Sequence, residues 1–195
     1  FDGGEGRATH VVVWGDIDND GDLDALSAAT VDRNPSAIDA GDRTETLINS
    51  GEEGFILVSS GELRHGNERL PVHAMSLTDF DRDGLLDVLV GFDLDYAGRP
   101  VPVGLYQGYG TGSFVNVSDA LGVTPDPKRG PTRSWGTTAC DLDGDGVPEL
   151  LTSAYGRASN GLWTWRGGAY ADVAIAAGFA YDHREDWSTN LNAQC

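Results

Sequence analysis

One acidic loop is written three times in this chain. Asp16-Ile-Asp18-Asn-Asp20-Gly21-Asp22-Leu-Asp24, Asp79-Phe-Asp81-Arg-Asp83-Gly84-Leu85-Leu-Asp87 and Asp141-Leu-Asp143-Gly-Asp145-Gly146-Val147-Pro-Glu149 share one frame, and their first aspartates stand 63 and 62 residues apart. A motif repeated at near-equal spacing marks a repeat architecture with one loop per unit. The same frame also implies a cation site in each loop.

Carboxylates at loop positions 1, 3 and 5 converge on one point only if the chain curls tightly, which Gly at position 6 permits. The carbonyl of position 7 (Asp22, Leu85 and Val147) and the acid of position 9 (Asp24, Asp87 and Glu149) complete the cage. Every donor is a hard oxygen, so Ca²⁺ is favoured over zinc or copper, and Mg²⁺ resists losing its waters. Three such sites are expected. Uncompensated, their carboxylates would repel one another.

An EF-hand opens with the same run but requires a bidentate Glu at position 12. Here position 12 is Ser27, Val90 and Thr152. The residues after position 9 read as short apolar strands rather than a helix, which places each loop in a β-hairpin. Each repeat then follows one itinerary. A strand enters the loop (10–15, 73–78, 135–140), a second leaves it, and a third (46–50, 104–108, 161–165) and a fourth (55–58, 114–117, 170–173) follow. Four antiparallel strands per unit of about 60 residues describe a propeller blade. The fold class is therefore all-β, with repeats at about 9–70, 71–132 and 133–188. Residues 189–195 read as the first strand of a fourth blade, which makes the chain a propeller fragment. Three blades leave two radial faces bare, so the chain is expected to be marginal or to associate.

The formal net charge is -18 on 195 residues, but twelve of the carboxylates are expected as ligands in the loops. With no run of 18 apolar residues there is no membrane span. The chain starts at Phe1, and weak calcium sites suit an extracellular, cell-surface or periplasmic setting, so a secreted parent whose leader has been removed is expected.

Loop placement, the four-strand pattern and the Gly-x-x-Phe-x-x-Val ending resemble the FG-GAP and VCBS-type repeats of the integrin α propeller and its bacterial relatives. The ending Tyr170-Ala-Asp172-Val173-Ala-Ile-Ala-Ala-Gly178 is most similar to the acidic repeat proteins with ASPIC/UnbV domains, including cartilage acidic protein. The resemblance implies calcium in the first hairpin of each blade and a role in recognition or adhesion. Carried over by position, the ligands are Asp16, Asp18, Asp20 and Asp24, then Asp79, Asp81, Asp83 and Asp87, then Asp141, Asp143, Asp145 and Glu149, where Glu departs from the usual Asp.

Mapping turns onto blades puts Arg82 and Arg166 on the calcium face. The other eleven cations, among them Arg99, Lys128, Arg129, Arg133 and Arg184, fall on the opposite face. Asp126 and Asp186 share those connectors, so a basic recognition face competes with a mixed surface holding internal ion pairs. Arg184 and Trp187 could present a polar and aromatic platform to a sugar or peptide, or Trp187 could plug the gap between blades. Cys140 and Cys195 occupy the same slot of consecutive blades, too far apart for a disulfide by the usual Cα limit. His10, His73 and Trp135 share another slot and read as packing or rim residues.

Nothing catalytic is visible: there is no nucleophile elbow, P-loop or His-based metal motif. The expected function is a non-enzymatic, calcium-binding recognition or adhesion module for a protein or carbohydrate ligand, joined to the remaining blades of its parent, with nucleic acid excluded as a partner by the acidic charge. The alternative is a scaffold or substrate-binding module of a larger secreted enzyme.

Overall fold

The structure, a computed structural model, describes residues 9–29, 44–58, 63, 70–95, 97–129, 133–156 and 158–181. Among the described residues, twelve strands form three four-stranded antiparallel sheets. The first blade holds β1 (Thr9–Gly15), β2 (Asp24–Ala29), β3 (Glu45–Asn49) and β4 (Phe55–Val58), paired in chain order. The second holds β5 (Val72–Thr78), β6 (Asp87–Phe92), β7 (Gly104–Gly108) and β8 (Phe114–Asn116). The third holds β9 (Ser134–Cys140), β10 (Glu149–Ala154), β11 (Gly161–Trp165) and β12 (Tyr170–Asp172). The strands fall where the sequence pattern puts them. The first pairing of every blade carries a register shift near its start, between Thr9 and Val11, between Val72 and Ala74, and at Ser153/Ala154.

Alternating side chains give each blade two apolar faces, and the blades stack through them. In β1, Val11 and Val13 turn toward the second blade, where they pack on a cluster containing Leu26, Val72, Met75, Val88, Phe92, Tyr106 and Phe114. A second cluster, with Phe80, Leu89, Leu105, Val123, Leu150, Trp163 and Tyr170, joins the second blade to the third. Trp163 and Tyr106 are the largest fully buried side chains. Burying a large apolar side chain contributes about 1.5–3 kcal/mol, so these two seams hold the blades together. The inner strands β1, β5 and β9 lie side by side, and their first turns converge. His10 and His73 meet edge-on at 5.1 Å, His73 stacks on Trp135 at 4.6 Å and Trp135 on Tyr155 at 4.3 Å. Those residues pack against one another, as their shared slot leads one to expect.

The segment after β8 straps the second blade to the third. Tyr170 donates its amide to the Leu121 carbonyl (2.7 Å) and Trp163 its indole N–H to the Thr124 carbonyl (3.0 Å). Arg129, buried against the Trp163 ring, pairs with Asp172 at 2.6 Å. No helix among the described residues is long and apolar enough to cross a membrane.

Candidate metal centres

Each loop is folded by its own carboxylates. The position 1 acid accepts amides from positions 5 and 6: Asp16 from Asp20 and Gly21 (3.0 and 3.1 Å), Asp79 from Asp83 and Gly84 (both 3.1 Å), Asp141 from Asp145 and Gly146 (3.1 and 2.9 Å). The position 5 acid then accepts the amide of position 7, at 2.9 Å for Asp20–Asp22, 2.8 Å for Asp83–Leu85 and 2.7 Å for Asp145–Val147. Asp side chains favour such local turns. The glycine at position 6 has φ of +96°, +86° and +86° at Gly21, Gly84 and Gly146, where a Cβ would be strained. Position 4 is also left-handed, with Asn19 at 60°, Arg82 at 64° and Gly144 at 79°. Only the third loop places glycine there.

The position 9 acids are buried and tie each loop to its own blade. Asp24 accepts the Ile17 amide (2.7 Å) and the Asn49 amide (2.8 Å), tying the loop to β3. Asp87 repeats this with Phe80 (2.9 Å) and Gly108 (2.8 Å). Glu149, one methylene longer, accepts the Leu142 amide (2.7 Å) and the Thr164 hydroxyl (3.0 Å) instead. The replacement of Asp by Glu is thus absorbed by exchanging a backbone donor for a side-chain donor.

In every loop the acids of positions 1, 3 and 9 come together. Asp16, Asp18 and Asp24 each offer an oxygen within 4.8 Å of the others, as do Asp79, Asp81 and Asp87, and Asp141, Asp143 and Glu149. Asp20, Asp83 and Asp145 are not in these trios. They brace the turn at the residues whose carbonyls were expected as ligands, Asp22, Leu85 and Val147. The trios suit a hard divalent cation on two grounds. Their donors are all carboxylate oxygens, and the Asp18 Oδ1 atom is buried without a hydrogen-bond partner. Burial first, then the neighbouring Asp24 and Asp20 charges, push the Asp18 carboxyl above the usual range. Burial likewise pushes Asp87 up to about 7 against the opposing pull of the Gly108 and Phe80 amides. A buried carboxyl among like charges is what a bound cation relieves.

Three features of the loops escape a reading by motif. Gln107 of β7 donates to Asp81 (2.6 Å), so the third strand also reaches the second loop. Asn19 donates to the Gly84 carbonyl of the next loop (2.9 Å). Arg82, in the same position 4 of its loop, lies against Gly146 of the loop after it. Position 4 therefore bridges adjacent loops, a role that a fixed ligand frame does not signal.

The cations expected on the opposite face do not form a free basic surface among the described residues. Arg99 pairs with Asp95 (2.6 Å), Arg129 with Asp172, and Arg133 with Asp93 through both arms of its guanidinium. Arg133 also lies over the Tyr155 ring at 5.0 Å. Internal ion pairing, the competing expectation, describes these residues. Arg184, Trp187, Cys195 and the expected strand at 189–195 lie outside the described residues.

Residues 79–152 match the family model described as FG-GAP-like repeat. The match runs from the first aspartate of the second loop, through β6, β7, β8 and β9, to position 12 of the third loop in β10. No curated protein matches the chain. Residues 79–152 thus carry an FG-GAP-like repeat, and the first blade repeats the loop, strand order and carboxylate trio of that segment.

Proposed function

We propose that the chain is a calcium-stabilised recognition or adhesion module of a secreted or surface-exposed protein, taking a protein or carbohydrate ligand. The observation that carries the calcium half is the recurrence of one carboxylate trio in three hairpins, with a buried carboxylate oxygen left unsatisfied in the first. Calcium would neutralise each trio and, by binding the folded loop alone, add its binding free energy to stability. The chain's own residues do the rest: position 1 shapes the turn, position 5 braces it, and position 9 fastens it to the neighbouring strands.

The trios are held by hydrogen bonds within their own blade, mostly from backbone amides, an arrangement suited to holding shape rather than to turnover. Recognition then belongs to the connectors, which carry function in scaffolds of this kind. Titration calorimetry with calcium tests the metal. Three sites per chain with Kd of roughly 0.1–1 mM, the range of extracellular modules, are expected, and heat indistinguishable from dilution refutes the reading. Screening the calcium-loaded chain on glycan and extracellular-protein arrays tests recognition, and no binder on either array counts against that half alone.

A further inference from the structure

Position 4 of the loops is where one carboxylate trio reaches toward the next. The Asn19 side chain donates across 65 positions to the Gly84 carbonyl, at 2.9 Å. The N–H of that same peptide unit, on Leu85, donates to Asp83 at 2.8 Å, while the amide of Gly84 itself donates to Asp79 at 3.1 Å. The peptide between Gly84 and Leu85 is thus fixed at both ends, its carbonyl by the first loop and its N–H by the second. The next carbonyl along, that of Leu85, is the one expected to face the cation. Asn19 therefore orients a turn to which it does not belong.

The bridge depends on the first loop being closed. Asn19 stands between Asp18 and Asp20 with a left-handed backbone, φ 60°, in a turn held by the Asp20 and Gly21 amides on Asp16. Asp16, Asp18 and Asp24 offer oxygens within 4.8 Å of one another, so without a cation their charges work to open the turn that presents Asn19. A filled first loop keeps that side chain aimed at Gly84. Linkage makes the effect reciprocal: whatever filling the first loop adds to the second, filling the second adds to the first. Arg82 occupies the same slot with the same backbone, φ 64°, and its guanidinium lies against Gly146, position 6 of the third loop. The approach of position 4 to the next position 6 is therefore repeated from one blade to the next.

We propose that Asn19 is a positioning residue for the second calcium site and couples it to the first, so that calcium in either loop raises the affinity of the other. This coupling rests on calcium being the ion that fills the loops. Charge alone gives the opposite sign. The first loop carries Asp16, Asp18, Asp20, Asp22 and Asp24, and a divalent cation among them lowers the negative potential felt by the second loop and weakens its hold on calcium. At about 0.15 M salt the screening length is about 8 Å, which attenuates that opposing effect but not a hydrogen bond made at 2.9 Å. One neutral hydrogen bond gained corresponds to about a three- to tenfold change in affinity. The bridge therefore outweighs the charge effect at physiological salt.

Stepwise addition of calcium to the ¹⁵N-labelled chain at that salt concentration, read by NMR at the Gly21, Gly84 and Gly146 amides, follows each loop separately. Each of these amides donates to the first aspartate of its own loop. Asn19→Gly deletes the bridging side chain and keeps the backbone, since the third loop carries Gly144 at this position with φ 79°. Asp18→Asn withdraws a carboxylate from the first trio, and Gly21 reports that this site then stays empty while the second fills. Either variant is expected to raise the calcium midpoint at Gly84 about three- to tenfold, and the two together no further than one alone. A Gly84 midpoint left unchanged by Asn19→Gly overturns the proposal. So does a weakening by Asp18→Asn that persists in full in the Asn19→Gly background, because the coupling then bypasses Asn19. If none of the three amides responds to calcium, the calcium reading itself falls; if all three respond and Gly84 ignores Asn19, the coupling alone fails.

Discussion

At the residue scale, position 9 concentrates the most consequence in one carboxylate. Asp87 is fully buried and holds two backbone amides, Phe80 in the loop and Gly108 in β7. Asp87→Ala orphans both, and an unsatisfied buried donor costs about 1–3 kcal/mol. The expected loss is therefore roughly 2–4 kcal/mol in calcium-free urea unfolding, measured against wild type. The same carboxyl sets a pH dependence. Its folded pKa is raised from 3.8 to about 7, so between those values the folded chain binds more protons than the unfolded one. Calcium-free stability then falls as pH rises through that window. Calcium competes with the proton, so the stabilisation by added calcium is expected to grow over the same window. Melting temperatures with calcium and with chelator across the window check both signs.

At the element scale, the strap between the second and third blades rests on a buried ion pair. Arg129 and Asp172 meet at 2.6 Å with their side chains almost wholly shielded, and Asp172 also accepts the Asp126 amide at 2.8 Å. Removing one partner of such a pair leaves a buried charge and typically costs about 3–5 kcal/mol. Asp172→Ala is expected to fall in that range by chemical denaturation. Arg129→Met with Asp172→Leu is expected to recover much of it, because a hydrophobic pair leaves no uncompensated charge. Strand order, strand limits and the four-strand blade were all legible in the sequence, since alternation and Gly-rich turns are local signals. The ion pairs were legible only as an alternative: the pairing of Arg133 with Asp93 spans 40 positions and depends on where blades meet.

For the whole molecule, the proposed calcium binding and the stacking of blades are the two contributions to separate. A ligand that binds only the folded state at 100 times its Kd adds about 2.7 kcal/mol per site. In a domain of this size each kcal/mol raises Tm by about 2–4 °C. Saturating calcium is expected to raise the melting temperature by well over 5 °C through the three sites, and Mg²⁺ at the same concentration by much less. Differential scanning fluorimetry with calcium, magnesium and chelator distinguishes these cases.

The sequence by itself determined the repeat, the hairpin that carries each acidic loop and the carboxylates at positions 1, 3 and 9. Those depend on residues a few positions apart, whose geometry the local turn dictates. Only the tertiary structure decided that the position 5 acids brace the turn outside the trio, that position 4 reaches the next loop, and that Arg99, Arg129 and Arg133 of the opposite face pair with internal carboxylates. It also showed which side chains the blade seams cover: Ile17, Phe80 and Leu142 read alike in sequence, but among the described residues only Ile17 and Phe80 pack against a following blade. Burial belongs to the neighbours a residue acquires, and those lie a whole repeat away along the chain.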